Sequence, residues 1–406
     1  MKIPENIINP NVRIKPRQAL TLFKAIKEIG SQFSGNSPPS VFIGSKLPYP
    51  KVNVGVLSPP EKIENVWLYD AENYWAEHNY TIDDVINFRS SLINSRFRTS
   101  VYYAKERNKL LELSQEIAMA ARPVDLEINL KDKIKFKLDY NSITLPMGPR
   151  ANLQKLRITE NTEIAQKVEK VVSDTDLKAN DAINYLYKNK FDENTLSQLL
   201  SIGVLGIKKN RKLVPTRWSI TSVDDMLAKS MIKSIKTYDT IDSYTLFFGH
   251  FLGNYFMIML FPRIFSYELF EIYVPGSSWN PGTEIAASTD YEDVFGRKDY
   301  ASNTVGGYYA NRLAVTEYLT KIKKQASILT IRFETPEYWK ALGVWVVRAA
   351  SRKAMLSNPI KFDSMGPMLS YIRELSSKRF SYDIDYLLGK SKLLKSIKEQ
   401  PTLFDF

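Results

Sequence analysis

Hydrophobic positions recur with two different periods along this chain, and each period predicts a different kind of element. Apolar residues three and four positions apart lie on one face of a helix, whereas alternating apolar and polar residues are typical of a half-buried strand. The helical period covers residues 18–33, 83–95, 105–120, 161–201 and 305–325. Helices are also predicted from residue 334 to the C-terminal segment, where leucines between 387 and 394 indicate an amphipathic end.

Alternation and β-branched runs predict strands in both halves of the chain. Short runs of this kind lie in a proline-rich stretch, residues 37–55. Residues 124–130 and 134–138 predict a hairpin, whose second strand puts Lys133, Lys135 and Lys137 on one face as either a solvated row or a phosphate contact. Further strands are predicted over 244–248, 255–261, 267–274 and 328–333, with a loop rich in Gly, Pro and Asp over 275–302.

This order of elements predicts a mixed α+β protein with several domains. It would have a central winged-helix-like segment and a β-rich C-terminal half flanked by helices. The 406 residues suffice for two or three domains. The expected division is an N-terminal α/β region with proline-rich strands and a β-hairpin (1–160), a helical segment (161–222), an α+β domain (223–395) and a flexible tail (396–406).

Composition narrows the classes of function. Lys and Arg total 56 against 44 Asp and Glu, and the net charge of +12 favours polyanionic partners such as DNA, although it also serves solubility. The absence of cysteine excludes disulfides, thiol nucleophiles, zinc ribbons and iron–sulfur clusters. With only two histidines, any metal would be a hard cation such as Mg²⁺ held by carboxylates, and no cofactor is identified. The longest apolar run, residues 256–261, is too short to span a bilayer, so we expect a cytoplasmic, nucleoid-associated protein without a membrane partner.

Residues 400–406, Gln-Pro-Thr-Leu-Phe-Asp-Phe, resemble the peptide by which clients of the replication sliding clamp (PCNA) bind. That peptide has Gln, an aliphatic residue three positions on and an aromatic residue three further, here Gln400, Leu403 and Phe406. One helical turn puts Leu403 and Phe406 on one side, where both fill an apolar pocket while the Gln400 amide bonds at its rim. Such peptides commonly end in two adjacent aromatic residues, whereas here Asp405 separates Phe404 from Phe406. The resemblance implies PCNA as a partner.

A second resemblance covers nearly the whole chain. The motifs Ser-Pro-Pro-Ser-Val-Phe-Ile-Gly (37–44), Tyr-Pro-Lys-Val-Asn-Val-Gly (49–55), Gly-Pro-Arg-Ala (148–151), Pro-Thr-Arg-Trp-Ser-Ile-Thr (215–221) and Gly-Gly-Tyr-Tyr-Ala (306–310) resemble those of the archaeal NreA family of DNA-repair proteins, in the same order. The clamp-binding peptide is also typical of that family. The resemblance implies a role in DNA repair together with the clamp, and it specifies no reaction. Many members carry an N-terminal cysteine cluster, which this chain lacks.

Residues 180–221 are the main candidate for nucleic-acid contact. Helices predicted over 182–188 and 194–201 precede a basic run, and this order resembles a winged helix-turn-helix, whose wing lies on the phosphate backbone. The residues that would bind DNA are Lys208, Lys209, Arg211, Lys212 and Arg217, with Trp218 packed beneath the wing. The alternative is a helical linker followed by an exposed basic turn.

Arg150 and Arg312 are candidates for binding a phosphate or a nucleotide. Arg150 follows Gly148-Pro149, where glycine lets the backbone approach an anion and arginine can bind it with two parallel bonds. An ordinary turn is the alternative at this position. The sequence contains neither a Walker nor a Rossmann fingerprint, which argues against a nucleotide-driven motor.

Asp290 and His250 are the candidates for catalysis. Asp290 lies near Glu292 and Asp293 in the long predicted loop, where a carboxylate either binds Mg²⁺, acts as a general base or is simply solvated. His250 ends an aromatic-rich strand, where an imidazole is either packed in the core or serves as an acid or base.

Three hypotheses about function follow. The first is a DNA-repair protein that binds DNA and is recruited to PCNA. The second is a nucleotide- or DNA-processing enzyme, nuclease-like or nucleotide-binding, acting at damaged DNA, with a site among Arg150, Arg217, His250, Asp290 and Arg312. The third is an RNA-binding protein whose clamp-like peptide is fortuitous.

Overall fold

The structure, a computed structural model of the chain, describes residues 30–102, 108–134 and 147–399. Most of the predicted helix 18–33, residues 135–138 of the predicted hairpin and the whole clamp-binding segment 400–406 lie outside these residues. The described part divides into two compact units, residues 30–227 and 228–399, each with its own six-stranded sheet. No helix among the described residues is both long enough and apolar enough to cross a bilayer.

The described residues of the first unit form six strands and seven helices, the last of which continues into the second unit. The strands are β1 Gln32–Ser37, β2 Val41–Ile43, β3 Lys51–Ser58, β4 Ile93–Ser100, β5 Val124–Leu130 and β6 Arg150–Ile158. The helices are α1 Glu72–Glu77, α2 Ile82–Ser90, α3 Lys109–Met119, α4 Gln166–Ser173, α5 Ala179–Lys188, α6 Glu193–Ser201 and α7 Thr216–Ile235. Short 3₁₀ helices cover Val66–Asp70 and Lys208–Asn210.

Side-chain caps mark where several of these helices begin. Thr81 and Asp84 form a reciprocal capping box at the start of α2. The Asn108 side chain accepts hydrogen bonds from the first backbone amides of α3, and Asp192 does the same for α6. Each cap satisfies amides that have no partner inside the helix, so these starts are encoded locally.

The first sheet has the strand order β1-β5-β6-β4-β3-β2, with β4 and β6 parallel and every other pair antiparallel. Val54 and Val56 on β3 and Phe97 on β4 share one face, which is buried. Helix α3 packs against β2, β3 and β6. The opposite face of the same strands carries polar residues, and the candidate site is built there.

The described residues of the second unit form six strands and five complete helices. The strands are β7 Tyr244–Phe251, β8 Asn254–Phe261, β9 Ser266–Tyr273, β10 Ala286–Glu292, β11 Ser327–Glu334 and β12 Ile360–Phe362. The helices are α8 Val305–Ile322, α9 Trp345–Met355, α10 Met365–Phe380, α11 Asp385–Lys390 and α12 Lys392–Glu399.

The second sheet has the order β10-β9-β11-β8-β7-β12, with only β9 and β11 parallel among its described pairs. Strands β8 and β11 are buried at all eight of their positions. The reason is that helices cover both faces: Met257 and Met259 share a cluster with residues of α10, α11 and α12, whereas Gly249 lies against Ala354 of α9. Because helices cover both faces of the sheet, the sequence of β8 is an almost uninterrupted run of apolar residues.

The predicted α+β class is confirmed, and so are the strands of the second unit at β7, β8, β9 and β11 and the long helix α8. Two predicted helix ends are wrong, because residues 32–33 belong to β1 and residues 93–95 belong to β4. Strands β6 and β10 form where a turn and a loop were predicted. In each case backbone pairing with another strand overrides the local pattern, as tertiary context commonly does.

The predicted wing is also wrong. After α5 and α6, the basic residues form the 3₁₀ helix Lys208–Asn210, and residues 211–215 contain no strand. Trp218, expected beneath a wing, is 56% exposed. The segment is therefore a pair of helices followed by a basic turn.

Candidate functional site

The polar face of the first sheet is generated by the register of four strands. Phe42 on β2 lies opposite Gly55 on β3, and Gly55 lies opposite Arg96 on β4. On β4 and β6, which run parallel, Asn94 pairs with Arg150. Because side chains two residues apart on a strand share a face, these pairings place Arg96 and Arg150 on the same side of the sheet.

Gly55 and Gly148 allow this arrangement through close backbone approach. A Cβ on Gly55 would lie 1.9 Å from Oδ1 of Asn94, and a Cβ on Gly148 would lie 2.4 Å from the carbonyl oxygens of Ser90 and Leu92. The Gly148 amide donates to the Arg89 carbonyl over 3.1 Å, and the Pro149 carbonyl accepts from Asn94 over 3.0 Å. Gly148 therefore has a packing role, and it delivers Arg150 to the first position of β6.

The first turn of α7 forms one wall of the site. The Thr216 hydroxyl accepts a hydrogen bond of 2.8 Å from the Ile43 backbone amide on β2. The Ser201 hydroxyl lies 3.3 Å from Thr216 and donates to the Val214 carbonyl over 2.6 Å. These contacts place Arg217 beside the sheet. Arg217 lies at the N-terminal end of a 20-residue helix, the end that carries partial positive charge.

Together these elements enclose a basic pocket of about 240 Å³. It is lined by Phe42, Gly44, Ser45, Lys46, Asn53, Gly55, Asn94, Arg96, Arg150 and Arg217. Four of these lining residues are basic and none is acidic. We call this site the basic pocket. Clustered arginines with amide side chains are suited to bind phosphate, because the guanidinium fork matches its oxygens.

The predicted site residues of the basic turn separate into two roles. Lys208, Lys209 and Lys212 are exposed. Arg211 instead donates to three backbone carbonyls within the unit, those of Gly206 (2.7 Å), Val172 and Asp174 (both 2.9 Å). It therefore holds the turn in place.

Arg312, a predicted phosphate candidate, is buried in the second unit. It pairs with Glu292 over 2.7 Å, and both side chains are 2% exposed. Its guanidinium also lies over the rings of Tyr308 and Tyr309, at 5.4 and 5.5 Å from their centroids. Arg312 therefore belongs to a core network of the second unit.

Asp290 lies on β10 and anchors the segment before α8. Its carboxylate pairs with Arg297 over 2.8 Å and accepts from the backbone amides of Asn303 and Thr304 over 3.0 and 2.8 Å. The Thr304 hydroxyl adds a bond of 2.9 Å. With its side chain 2% exposed, Asp290 is placed to organise the chain rather than to contact a ligand.

His250 lies near the end of β7, stacked on Tyr255 with ring centroids 4.6 Å apart. Burial and then the positive charge of Arg379 lower the pKa of His250 from its ordinary value. The Tyr255 hydroxyl donates to Glu337, and burial and Glu337 raise the pKa of Tyr255 to about 12. These groups form a cluster in the second unit, without any residue of the basic pocket.

A buried ionic network lies at the ends of β9 and β11. Arg332 contacts Glu271 and donates to Glu334 over 2.8 Å and to Asn254 over 3.0 Å. Burial raises the pKa of Glu334 to about 7, opposed by Arg332 and by the Trp279 backbone amide, and Glu271 raises it further. One guanidinium therefore pairs with two carboxylates in a buried environment.

A second cavity, about 220 Å³, lies in the first unit and is acidic, with Asp70, Glu72, Asp192 and Glu193 in its lining. Asp70 is paired with Arg89, and Asp192 caps α6, with its pKa raised mainly by burial. Within the residues that the structure describes, no group of three His, Cys, Asp or Glu side chains is arranged to hold a metal ion.

Two of the predicted residues, Arg150 and Arg217, converge in the basic pocket, whereas the others lie elsewhere. Sequence reasoning missed Arg96 and Lys46. The signal for Arg96 was present: Asn94, Arg96 and Arg98 alternate with Ser95 and Phe97. The helix predicted over 83–95 conflicts with this alternation, because it extends into β4. Lys46 lies in a loop, and no local pattern indicates its position.

Comparisons with known proteins match the chain along most of its length. The family model described as "Archaeal Nre, N-terminal" matches residues 14–280, and "Archaeal Nre, C-terminal" matches residues 292–406. The DNA repair protein NreA of Archaeoglobus fulgidus is 38% identical over 357 residues, which cover 86% of this chain and 88% of that protein.

Two further relatives are similar over comparable lengths. The DNA repair protein NreA of Haloferax volcanii is 35% identical, covering 85% of this chain and 83% of that protein. The DNA repair protein NreB of Archaeoglobus fulgidus is 36% identical, covering 92% and 91%. No solved structure matches the chain at a significant level.

Proposed function

The chain belongs to the archaeal Nre family, and from this premise we propose that it is a DNA-repair protein that binds DNA through the basic pocket and is recruited to the PCNA clamp by residues 400–406. The repair role is supported by three relatives that are named DNA repair proteins. The DNA contact is supported by the site, and the clamp contact by the sequence of the segment.

The observation that carries the proposal is the convergence of Lys46, Arg96, Arg150 and Arg217 on one concave site. These residues come from a loop, two strands and a helix, so their proximity is a property of the fold. Phosphate is the group on DNA that such a site recognises, and contacts to phosphate dominate DNA affinity. The exposed side chains of Lys208, Lys209 and Lys212 would add sequence-independent affinity.

Clamp recruitment rests on the spacing of Gln400, Leu403 and Phe406, with Phe404 beside them. These residues lie outside the described part of the chain. A short peptide of this kind binds through a few anchors, so the clamp contact needs no contribution from either folded unit.

A second candidate function is a nucleotide- or DNA-processing enzyme. One observation favours it: the basic pocket is a small concavity with convergent polar groups, the usual form of a small-ligand site. Incubation of the protein with nicked, single-stranded and duplex DNA and Mg²⁺ separates the two functions. Cleavage that is lost in Arg150→Ala supports the enzyme, and intact DNA together with tight binding supports the non-enzymatic role.

The test of DNA binding is fluorescence anisotropy with labelled DNA over a range of salt concentrations. The double variant Arg150→Ala/Arg217→Ala should weaken binding at least tenfold, and the slope of log K against log [salt] should fall by about two. Arg157→Ala is the matched control, because Arg157 lies on the same strand but is exposed and pairs with Glu127. Equal effects of the double variant and the control would contradict the assignment of DNA binding to the pocket.

A further inference from the structure

The shape of the basic pocket restricts which phosphate it takes. We propose that it receives a phosphomonoester at the end of a DNA strand, rather than a phosphodiester inside a continuous strand. This inference rests on the proposed DNA binding and adds the chemical class of the bound group.

The pocket is closed at its floor. Strands β2, β3, β4 and β6 form that floor, and the first turn of α7 forms a wall. An internal phosphodiester continues as a chain in two directions, so it stays at the mouth of a concavity whose floor is closed. A terminal group has only one connection, so it can enter.

The charge of the pocket favours a dianion. A phosphomonoester carries a charge between −1.5 and −2 at pH 7, because its second pKa is about 6, whereas a phosphodiester carries −1. It also presents three terminal oxygens instead of two. Arg96, Arg150 and Arg217 offer planar guanidinium forks, and Asn53 and Asn94 line the same space. A phosphomonoester therefore offers acceptors to more of these donors than a phosphodiester does.

Exposed aromatic rings flank one end of β3 and β4, two of the strands that form the pocket floor. Tyr49 and Tyr102 are 70% and 48% exposed, and their rings meet edge to face with centroids 6.0 Å apart. Tyr49 follows the loop that supplies Lys46, and both tyrosines flank the Lys51–Ser100 pair. That pair is four residues from the Gly55–Arg96 pair, about 13 Å along the strands. A strand that leaves the pocket toward this end would bring its unpaired bases to rings on which they can stack.

The experiment uses the full chain and single-stranded oligonucleotides labelled at the end opposite to the variable one. Four ligands are compared by anisotropy: a 5′-phosphate, a 5′-hydroxyl, a 3′-phosphate and a 3′-hydroxyl end. We expect at least one phosphorylated end to bind about tenfold more tightly than its hydroxyl counterpart. Arg150→Ala should remove this preference, and Arg157→Ala should retain it.

Two further arms test the charge and the stacking. The preference should shrink when the pH is lowered from 7.5 to 5.5, because the monoester then loses its second charge while arginine keeps its own. Tyr102→Ala should weaken the binding of single-stranded ends several-fold. Tyr102→Phe, which keeps the ring, should leave this binding unchanged.

The outcomes distinguish this inference from the proposed function. Equal affinity for phosphorylated and hydroxyl ends, with Arg150→Ala still weakening both, would overturn the end-specific inference and leave DNA binding intact. Loss of all measurable DNA binding in the unmodified protein would overturn both. A free mononucleotide that competes as well as the phosphorylated strand at equal concentration would overturn the assignment to a strand end.

Discussion

Gly55 and Asn94 are locked together across β3 and β4, since a Cβ on Gly55 would lie 1.9 Å from the Asn94 side-chain oxygen. Asn94 is 2% exposed and lines the basic pocket together with Gly55. Gly55→Ala must therefore move the Asn94 amide, with the pocket as the adjacent open space. We expect DNA affinity to fall about three- to tenfold and the free energy of unfolding to fall by about 1–2 kcal/mol.

Gly44→Ala provides the control for this substitution. Gly44 lines the same pocket, but its Cβ would find its nearest neighbour at 3.7 Å, an ordinary van der Waals distance. Urea unfolding should show little change for this variant, because no neighbouring atom has to move. A Gly55→Ala protein that binds DNA like the unmodified chain would show that Asn94 does not shape the site.

The basic turn offers a prediction that separates charge from structure. Replacing Lys208, Lys209 and Lys212 by Gln should weaken DNA binding and lower the salt slope by about three, with unfolding unchanged to within about 0.5 kcal/mol. Arg211→Ala should instead lower the free energy of unfolding by about 2–3 kcal/mol, because three carbonyls lose their donor.

Both variants are compared by salt-dependent anisotropy and by urea unfolding. If Arg211→Ala leaves stability unchanged, its three backbone contacts are not formed in solution. If the triple Lys variant keeps the full salt slope, the exposed lysines do not face DNA.

The raised pKa of Glu334 predicts that the stability of the folded protein depends on pH. Its pKa in the folded protein is raised to about 7 from an ordinary 4.5, so between these values the folded state binds more protons than the unfolded state. The stabilising contribution is complete below about pH 4.5 and is lost as the pH rises through 7. The loss is on the order of 3 kcal/mol at most. Thermal unfolding followed at pH 5, 6.5 and 8 measures it.

Glu334→Gln should flatten this dependence, because a neutral amide can still accept from Arg332 and carries no proton to lose. Glu284→Gln, at an exposed position, is the control and should leave the profile unchanged. An identical profile in Glu334→Gln and the unmodified chain would assign the pH dependence to another group.

The clamp-binding segment is tested with a synthetic peptide of residues 394–406. The peptide should bind purified PCNA saturably, and the double substitution Leu403→Ala/Phe406→Ala should reduce binding at least tenfold because both apolar anchors are lost. Thr402→Ala changes a position between the anchors and should retain binding. No saturable binding by the unmodified peptide would remove the support for clamp recruitment.

Local pattern was sufficient wherever an element is specified by its own residues. The alternating and apolar runs identified β7, β8, β9 and β11, and the 3.6-residue period identified α8, because side-chain periodicity is an intrinsic property of each backbone conformation. The motifs along the chain likewise indicated its family, which the comparisons confirm.

The sequence pattern predicts the wrong element where pairing with a strand far away in the sequence determines the backbone conformation. Strand β6 pairs with β5 and with β4, where Arg150 aligns with Asn94, 56 positions earlier, and β1 pairs with β5, where Gln32 aligns with Asn129. Neither partner is visible in a window of neighbouring residues, and a strand gains its hydrogen bonds only from such partners.

The assignment of charged residues to roles was decided by the tertiary structure alone. Arg150, Arg211 and Arg312 are equivalent as letters in a sequence, yet one lines an open pocket, one binds backbone carbonyls and one is buried against Glu292. The physical reason is that burying a charge is tolerated only with a partner within hydrogen-bond distance. Whether an arginine is buried in the core or lines a pocket depends on strand register and on contacts such as Ile43 to Thr216, 173 residues apart.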